Sequence, residues 1–527
     1  MTNSIECFSK AEVILIIGTN TTENHPVIAN RIRRAVNRGT RLLVCDPREI
    51  SLTRQASLWC RHKPGTDVAL INGMMHVIIR EGLADMDFVQ KRTEGYEELR
   101  SAVAKYTPEI VSEITGVSAD DIVQAARIYA SGKPASIAYA MGITQHTTGT
   151  DNVKSLANLA MLCGNMGVEG GGVNPLRGQN NVQGACDVGA LPNVYPGYQK
   201  VVDPAVRDKF EKAWDIKLSP KNGLTVTEML DGAEQGKVKV LYIMGENPRL
   251  SDPDSKHVKK ALEACEFLVV QDIFLTETAE LADVVLPATS YAEREGTYTN
   301  TERRVQLSHK VIDPLPGVKP DWEIICEISN RLGFPMRYDS VSAITDEIAK
   351  VTPQYGGITY ERLQAGEQLC WPCPLPNHPG TPVLHKDKFT RGLGKFHPID
   401  FIPPAELPSD KYPFILTTGR VREHFHTGTM TRKSKGLEAL APRPFVEVNP
   451  EDASKLGVKD GDRVKVSSRR GSIQLDARVD DRVDQGVIFI PFHYHEAVVN
   501  TLTNPALDPT AKIPEYKVCA ARVEKTA

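Results

Sequence analysis

The sequence has little of what marks the specialised classes of protein. Only 10 of the 527 residues are cysteine, and they lack the close, regular spacing of a disulfide framework. This scarcity fits a reducing, cytoplasmic compartment in which thiols stay free. The formal net charge is −3, so neither nucleic acid nor an anionic membrane is indicated as a partner. No apolar run has the roughly 20 residues needed to cross a bilayer, and we expect no direct membrane insertion.

The first part of the chain opens with a strand–helix–strand pattern. Residues 12–17 form a short apolar run typical of a buried parallel strand, which ends at Gly18. A helix is predicted over 25–37, and a second buried strand over 41–45 ends at Asp46. This is one βαβ unit of the kind that binds a mononucleotide.

The same pattern returns in the second part of the chain. A strand over 239–244 ends at Gly245, and a strand over 267–271 ends at Asp272. Both loops read Gly-x-Asn, and the acid follows the glycine by 28 residues in the first unit and by 27 in the second. We interpret this spacing as a duplicated nucleotide-binding half, which predicts two nucleotide tails.

Each predicted unit offers the same chemistry to a nucleotide. A helix N-terminus after the strand presents free N–H groups to a pyrophosphate, and a carboxylate at the next strand's end accepts from ribose hydroxyls. Neither loop carries the G-x-G-x-x-G sequence, so an ordinary NAD site is not indicated. The alternative is an α/β domain whose loops bind nothing, and the repeated spacing argues against it.

Three other features have sufficient structural explanations. Thr66 or Asp67 is predicted to cap a third helix that ends at Gly82, and a ligand role for these residues would be additional. His76 within that helix is predicted to be a packed residue. The Cys-Trp-Pro-Cys sequence at 370–373 lies in a proline-rich stretch, which favours a linker over a thioredoxin-like dithiol.

The end of the chain changes to short β runs. Strands are predicted over 414–416, 445–448, 463–467, 472–477 and 487–491, with one helix capped by Asn449 and ended by Gly457. The fold class is therefore α/β, with two Rossmann-like α/β domains and a C-terminal β-barrel. We place the domains at 1–178 and 179–345, an interdomain linker at 346–408 and the barrel at 409–527.

The segment 170–189, GGGVNPLRGQNNVQGACDVG, is the most informative one. It has neither helical nor strand periodicity, and Arg177 is its only cation. Glycine lets the backbone approach a ligand closely, amides offer paired donors and acceptors, and the guanidinium fork matches a carboxylate. The alternative is a surface loop in which glycine and asparagine only make turns, but loops of this length are uncommon without a function.

The run NPLRGQNNVQGACDVGALP resembles the bis-molybdopterin guanine dinucleotide oxidoreductases, and among them the formate dehydrogenase catalytic (alpha) subunits. The resemblance covers nearly the whole chain. It implies two molybdopterin guanine dinucleotides with molybdenum or tungsten, one dinucleotide tail on each α/β domain, and a C-terminal barrel of the double-psi type. It also implies interconversion of formate and carbon dioxide in anaerobic metabolism. Electrons would leave through a 4Fe–4S cluster to iron–sulfur partner subunits, and onward to an NAD-reducing flavoprotein or a hydrogenase.

The resemblance also implies the roles of individual residues. Arg177 would anchor the formate carboxylate with Gln179 beside it, and no metal ligand is assigned within this chain. The remaining matching positions would contact the cofactor. In the first domain they are Gly18, Asn20, Asp46, Gly65, Asp67, Gly142 and Gly178, in the second domain Gly245, Asn247, Asp272, Thr276, Gly296 and Thr297, and in the barrel Gly419, Arg420, His424, His426, Thr427, Asn500, Tyr516 and Lys517.

Relatives of this type begin with a 4Fe–4S domain and a metal-bound selenocysteine or cysteine followed by histidine. Here Cys7 lies too close to the first strand and is followed by Phe8. The hypothesis is an N-terminal truncation in which a selenocysteine codon was taken as a stop, and the chain alone is expected to be inactive. Two other classes stay open: a nitrate or other oxyanion reductase, and a non-catalytic complex I-like iron–sulfur subunit.

Overall fold

The structure, a computed structural model, describes residues 1–526. The chain forms two compact units. Unit 1 comprises Met1–Leu176, Leu250–Ser255 and Val383–Ala527, and unit 2 comprises Arg177–Arg249 and Lys256–Pro382. The predicted α/β fold with a C-terminal barrel is confirmed. The domain boundaries placed after residues 178, 345 and 408 stay a prediction.

Unit 1 contains a parallel sheet of five strands. Their spatial order is Leu58–Cys60, Arg41–Cys45, Val13–Ile17, Ala135–Tyr139 and Val173–Pro175. The central strand is buried along its whole length, because helices cover both faces of such a sheet. Its alternate side chains enter two different hydrophobic clusters, one containing Ile14 and Ile16 and the other Val13, Leu15 and Ile17.

The helices of this α/β part follow the strands along the chain. They are Thr21–Asn24, Pro26–Val36, Asp67–Arg80, Met86–Arg92, Tyr96–Val103, Pro108–Thr115, Ala119–Ser131, Met141–Thr144 and Gly149–Leu162. The helix predicted over 25–37 is thus confirmed, one residue shorter at each end.

The third predicted helix begins and ends as expected, and Thr66 occupies the predicted N-cap position. The Thr66 side chain makes no cap hydrogen bond and donates instead to the carbonyl oxygen of Lys63, at 2.7 Å. Asp67 is the first helical residue, and its carboxylate is bonded to His62 at 3.0 Å. The side chains of Thr66 and Asp67 therefore bond to nearby groups and do not cap the helix.

Unit 2 contains a second parallel sheet, whose strands lie in the order Val284–Pro287, Phe267–Asp272 and Val240–Met244. An antiparallel sheet is formed by Gly296–Thr299, Arg304–Ser308 and Leu369–Cys370. The helices are Val182–Asp187, Pro204–Trp214, Val226–Glu234, Asp321–Arg331, Val341–Val351 and Tyr360–Gln364, with Pro248–Ser251 and Ser255–Glu263 belonging by sequence to both units.

The parallel sheet of unit 2 repeats three strands of unit 1. Val13 pairs with Arg41 in the first sheet, and Val240 pairs with Phe267 at the equivalent place in the second. The next pairing joins Leu43 to Leu58 and Val269 to Val284, which are 15 residues apart in both sheets. The predicted duplication is therefore confirmed at the level of strand order and register. We call these three-strand units the first repeat and the second repeat.

The C-terminal part of unit 1 is a closed barrel of six strands. Around the barrel they are Phe414–Gly419, Val487–Pro491, Phe445–Val448, Ser472–Val479, Arg463–Ser467 and Cys519–Lys525. Five of these strands were predicted and Cys519–Lys525 was missed. The predicted helix is present as Pro450–Leu456, with the Asn449 side chain accepting from the N–H of Glu451 and Gly457 left-handed at its end.

All ten cysteines lie within the described part of the chain, and none of them forms a disulfide. Within residues 1–526, every helix falls short of the length and hydropathy that a membrane span requires.

Candidate functional site

The glycine that ends the first strand of each repeat has the same backbone geometry. Gly18 has a φ of +56° and donates its N–H to the carbonyl oxygen of Cys45, at 3.2 Å. Gly245 has a φ of +64° and donates to the carbonyl oxygen of Gln271, at 2.8 Å. Because side chains are disfavoured at positive φ, both turns favour glycine.

The acid that follows the second strand is also held in the same way in both repeats. Asp46 accepts a hydrogen bond from the N–H of Arg48 at 3.0 Å, and Asp272 accepts one from the N–H of Phe274 at 3.1 Å. Burial raises the pKa of both carboxyls, that of Asp46 to about 6. The structure thus places the two predicted ribose-binding carboxylates at equivalent strand ends.

The loop after Gly18 contains buried polar atoms. Thr19 Oγ1, Asn20 Nδ2 and Thr21 Oγ1 have no hydrogen-bond partner among residues 1–526. Gly142 packs directly against this loop. Its N–H donates to the carbonyl oxygen of Gly18 at 3.0 Å, and a Cβ at Gly142 would lie 2.5 Å from that oxygen. Buried polar atoms normally have partners, so this loop has the chemistry of a site for a polar ligand.

Asp67 belongs to a buried cluster of titratable side chains in unit 1. Burial alone would lower the pKa of His62, but the charge and hydrogen bond of Asp67 outweigh it and the pKa is raised. Burial would likewise raise the pKa of Asp67, yet His62 holds it below its ordinary value. His146 lies 3.9 Å from Asp67 and 4.0 Å from Glu515. No sequence pattern predicted the association of His62, His146 and Glu515, since the three are far apart along the chain.

Gly65, just before this cluster, has a structural reason to be glycine. Its φ is +81°, and a Cβ would lie 2.4 Å from Cγ of Pro404. Gly419 in the barrel is similar, since a Cβ would lie 2.5 Å from the ring of Phe489. Packing therefore explains these two glycines, and their cofactor contacts stay a prediction.

Two partly buried cations flank barrel strands, Arg420 directly after Phe414–Gly419 and Lys517 just before Cys519–Lys525. Lys517 donates from Nζ to the carbonyl oxygen of Thr418 at 2.6 Å. Burial, with the charge of Arg420, lowers the pKa of Lys517 to about 8, and burial lowers that of Arg420 to about 10. Within the described chain, no carboxylate lies at ion-pair distance from either side chain. A cation removed from water without a counter-ion is costly, so this pair is suited to an anion such as a pyrophosphate.

The histidines predicted in the barrel loop differ in their surroundings. His424 is bonded internally, with Nε2 2.9 Å from the carbonyl oxygen of Ala441 and Nδ1 3.3 Å from the hydroxyl of Thr431. Burial and then Arg420 lower the pKa of His426 to about 4. Thr427, next along the loop, shares a hydrogen bond with Thr429 at 3.0 Å.

His493 was missed by sequence reasoning. Its ring centroid lies 4.7 Å from that of His424, and neither ring nitrogen has a hydrogen-bond partner among residues 1–526. Burial, reinforced by His424, lowers its pKa to about 3. A neutral, fully buried imidazole with two available nitrogens is a further candidate for contact with a ligand.

Asn500 and Tyr516 bond to the segment 250–255 of their own unit. Asn500 donates from Nδ2 to the carbonyl oxygen of Leu250 at 2.7 Å, and the Tyr516 hydroxyl donates to that of Ser251 at 3.0 Å. Both side chains therefore anchor this segment, and a cofactor contact for either stays a prediction.

The loop of the second repeat is more fully bonded than that of the first. Asn247 donates from Nδ2 to Glu277 at 2.7 Å and accepts at Oδ1 from the hydroxyl of Thr278 at 2.7 Å. Thr276 accepts at Oγ1 from the N–H of Ala279, at 3.1 Å, the first residue of a short 3-10 helix. Open space surrounds Gly245, since a Cβ there would meet no atom within 4 Å.

The segment around Arg177 is less irregular than predicted. Residues Val173–Pro175 form a parallel strand and Val182–Asp187 form a helix, so the prediction of a continuous loop was wrong. Arg177 is exposed to solvent, and its Nε donates to Oε1 of Gln183 at 2.8 Å. Gly178 is half-buried and Gln179 is exposed.

The structure brings this segment against residues 295–303, which include the predicted cofactor contacts Gly296 and Thr297. The N–H of Arg177 donates to the hydroxyl of Thr301 at 3.0 Å, and the N–H of Thr299 donates to Oδ1 of Asn181 at 2.8 Å. Gly296 and Thr297 lie on the hairpin strand Gly296–Thr299, and a Cβ at Gly296 would meet nothing within 4 Å. Within unit 2, the segment that contains Arg177 is therefore hydrogen-bonded to the segment that contains Gly296 and Thr297.

Comparison with known proteins decides the family. The sequence matches the molybdopterin oxidoreductase family over residues 1–331 and the molydopterin dinucleotide binding domain over residues 414–520. The chain belongs to the molybdopterin oxidoreductase family.

The relatives within this molybdopterin oxidoreductase family agree with the resemblance found in the sequence. The chain is 55% identical to the F420-dependent formate dehydrogenase subunit alpha of Methanocaldococcus jannaschii, over the whole chain and 78% of that protein. It is 44% identical to formate dehydrogenase H of Escherichia coli, over the whole chain and 74% of that protein. The resemblance to formate dehydrogenase alpha subunits is confirmed, and it fits better than the two alternative classes.

Among solved structures, acetylene hydratase from Pelobacter acetylenicus shares the fold of this molybdopterin oxidoreductase. The two superpose with a TM-score of 0.79 over 98% of this chain and 78% of the other, at 23% identity. The family carries a molybdopterin cofactor, and the residues present fit one. The unpartnered polar atoms after Gly18 and the cation pair Arg420 and Lys517 are the donors that a pyrophosphate-linked dinucleotide requires.

Proposed function

We propose that this molybdopterin oxidoreductase is the cofactor-binding part of a formate dehydrogenase alpha subunit. The observation that carries the proposal is Arg177, held at Nε by Gln183 within the Arg-Gly-Gln-Asn-Asn sequence. Formate dehydrogenases 44–55% identical to the whole chain support it. The reaction converts formate to carbon dioxide, one proton and two electrons, and the reverse reaction consumes the same species.

In the proposed enzyme, Arg177 binds the formate carboxylate and Gln179 lies beside it. A planar guanidinium pairs with two carboxylate oxygens at once, which fixes the direction in which the formate C–H bond points. The same positive charge attracts the formate anion, and in the reverse reaction it stabilises the carboxylate charge that develops as carbon dioxide is reduced.

The cofactor proposed is a pair of molybdopterin guanine dinucleotides carrying molybdenum or tungsten. When bound, it supplies the two-electron redox chemistry. Each repeat holds one dinucleotide tail, with Asn20 and Asp46 in the first repeat, Asn247 and Asp272 in the second. The glycines near these residues and the remaining predicted contacts line the same tails. They are Gly18, Gly65, Asp67, Gly142, Gly178, Gly245, Thr276, Gly296 and Thr297, with Gly419, Arg420, His424, His426, Thr427, Asn500, Tyr516 and Lys517 in the barrel.

We further propose that electrons leave through a 4Fe–4S cluster to iron–sulfur partner subunits in the cytoplasm. An NAD-reducing flavoprotein or a hydrogenase would be the recipient. The relative from Methanocaldococcus jannaschii is an F420-dependent enzyme, which adds F420 as a third class of acceptor.

The test is Arg177→Ala in the cofactor-loaded enzyme. We expect kcat/KM for formate to fall at least about 100-fold, because an electrostatic anchor of the reacting group is lost. Arg331→Ala is the matched control, since the Arg331 side chain is 77% exposed and pairs with Glu327 on its own helix. Formate kinetics that are unchanged at full metal content would refute the proposal. Nitrate reduction exceeding formate oxidation would favour an oxyanion reductase, and purified protein without metal or pterin would favour the complex I-like class.

A further inference from the structure

We propose that Gln183 and Asp187 are positioning residues that fix the Arg177 guanidinium in the orientation in which it receives a small carboxylate. This inference rests on the proposed function, because it assigns to Arg177 the task of binding formate. The two residues lie four positions apart on helix Val182–Asp187, which places their side chains on one face of the helix.

The bonds form a continuous path away from Arg177. Its Nε donates to Oε1 of Gln183 at 2.8 Å, and Nε2 of Gln183 donates to Oδ1 of Asp187 at 2.7 Å. Gln183 is 4% exposed and Asp187 is 1% exposed, so both side chains are fixed inside unit 2. The exposed guanidinium is thereby tied to a rigid, buried support.

Asp187 decides which way the Gln183 amide faces. Its carboxylate accepts from the hydroxyls of Tyr198 and Tyr355, each at 2.7 Å, as well as from Gln183. An ionised carboxylate can only accept, so the NH₂ end of the amide must face it. The carbonyl end of Gln183 is therefore directed to Arg177, where an acceptor is required because a guanidinium can only donate.

The orientation of the Gln183 amide affects how Arg177 receives the substrate. An amide turned the other way would set an NH₂ group against the Arg177 N–H, and the guanidinium would have to swing away. Holding it in one orientation before substrate arrives lowers the entropy that binding must remove. A network that only stabilised the fold would have no reason to affect formate through Arg177, and this difference can be measured.

The first variant is Gln183→Met in the cofactor-loaded enzyme, which keeps the side-chain length and removes both polar ends. We expect the KM for formate to rise about tenfold while kcat changes less, because the anchor is present but no longer oriented. Gln199→Met is the matched control. Gln199 is a half-buried glutamine of the same unit whose Nε2 donates to the carbonyl oxygens of Pro196 and Val351. Its KM for formate should stay at the wild-type value.

The decisive measurement is a double-mutant cycle. If Gln183 acts through Arg177, then Gln183→Met should cause no further loss of kcat/KM in the Arg177→Ala background. The inhibition constant of acetate, a carboxylate without a hydrogen on its carboxyl carbon, should show the same coupling without any turnover of the inhibitor. Equal losses in both backgrounds would overturn the inference while leaving the proposed function intact. An Arg177→Ala variant with normal formate kinetics would overturn both.

A second variant covers the case in which Gln183→Met does not fold. Gln183→Glu keeps the shape, and its carboxyl, when protonated, donates to Asp187 and accepts from Arg177 as the amide does. The groups facing this position are Arg177, Asp187, Tyr198, Tyr355 and Cys186. Ionisation next to Asp187 would break the pattern, so kcat/KM should approach the wild-type value as the pH falls and drop as it rises. A profile parallel to wild type would contradict the positioning role.

Discussion

The two repeats share one backbone and differ in what surrounds it. Strand order, register, the positive φ of the glycine and the bonded acid agree between them. In the first repeat the strand Val13–Ile17 is buried throughout. In the second, Val240, Tyr242 and Met244 are 58%, 42% and 49% exposed. The shared part follows from strand–loop–strand geometry, whereas burial, protonation and stability are set by each repeat's neighbours.

The two repeats should differ most in how much stability they lose when the glycine after the first strand is replaced. Gly18→Ala should destabilise the first repeat by about 4 kcal/mol, from strain at positive φ and overpacking against the backbone. Its Cβ would lie 2.8 Å from the carbonyl carbon of Gly142 and from the amide nitrogen of Ile143. Gly245→Ala should cost only about 1–2 kcal/mol, because the strain is present but the space is open. Hydrogen exchange of peptides from each repeat measures both, and equal losses would contradict the expected difference.

Asp46 and Asp272, the acids that follow the second strand of each repeat, should make the stability of the two repeats depend on pH to different degrees. The folded-state pKa of Asp46 is raised, so the stability it contributes is full below its ordinary pKa of 3.8 and is lost as the pH rises through about 6. The difference between the ordinary and the folded-state pKa of Asp46 corresponds to about 3 kcal/mol of unfolding free energy. Asp46→Asn removes the titration, so its free energy of unfolding relative to wild type should rise by up to that amount between pH 4 and pH 8.

Asp272→Asn is the matched variant in the second repeat. Burial raises the pKa of Asp272 as well, but this carboxyl is half-buried and water screens it. Its stability should change in the same direction and by less. Denaturant unfolding across this pH range checks both variants, and a flat difference for Asp46→Asn would contradict the burial argument.

The cation pair of unit 1 should make nucleotide binding by the first repeat sensitive to pH. An anion binds the protonated form of Lys517, so affinity for a guanine nucleotide diphosphate should fall as the pH rises through about 8. Lys517→Met should weaken binding about tenfold at pH 7, the loss of one charge-assisted hydrogen bond. Lys517→Arg should restore most of it. Lys260→Met, an exposed lysine beside the second repeat, is the control, and calorimetric titration is the measurement.

The repeats were predictable because each depends on local signals. An apolar run fixes the strand, and the spacing from Gly18 to Asp46 fixes the turn that follows. The barrel strand Cys519–Lys525 was missed because small alanines weaken its alternation, and pairing with other strands decides its structure.

The support of Arg177 was not predictable for a different physical reason. Helix Val182–Asp187 has six residues, one of them a glycine, and no apolar face. It is held instead by polar bonds from Asp187 to tyrosines up to 168 residues away. No periodicity records such partners, so sequence reasoning found the guanidinium and missed what holds it.

The smallest expected effect lies at the start of the second strand of each repeat. Leu42 donates its N–H to the hydroxyl of Ser57 at 3.3 Å, and at the equivalent place Leu268 donates to the carboxylate of Asp283 at 2.7 Å. Ser57→Ala should cost about 0.5 kcal/mol and Asp283→Ala about 1.5 kcal/mol, because an ionised acceptor makes the stronger bond. Added salt should reduce only the second loss, since both side chains are exposed and only one carries charge. Equal costs at low salt would mean that the charge contributes nothing at this position, and that the two repeats agree here in energy as well as in geometry.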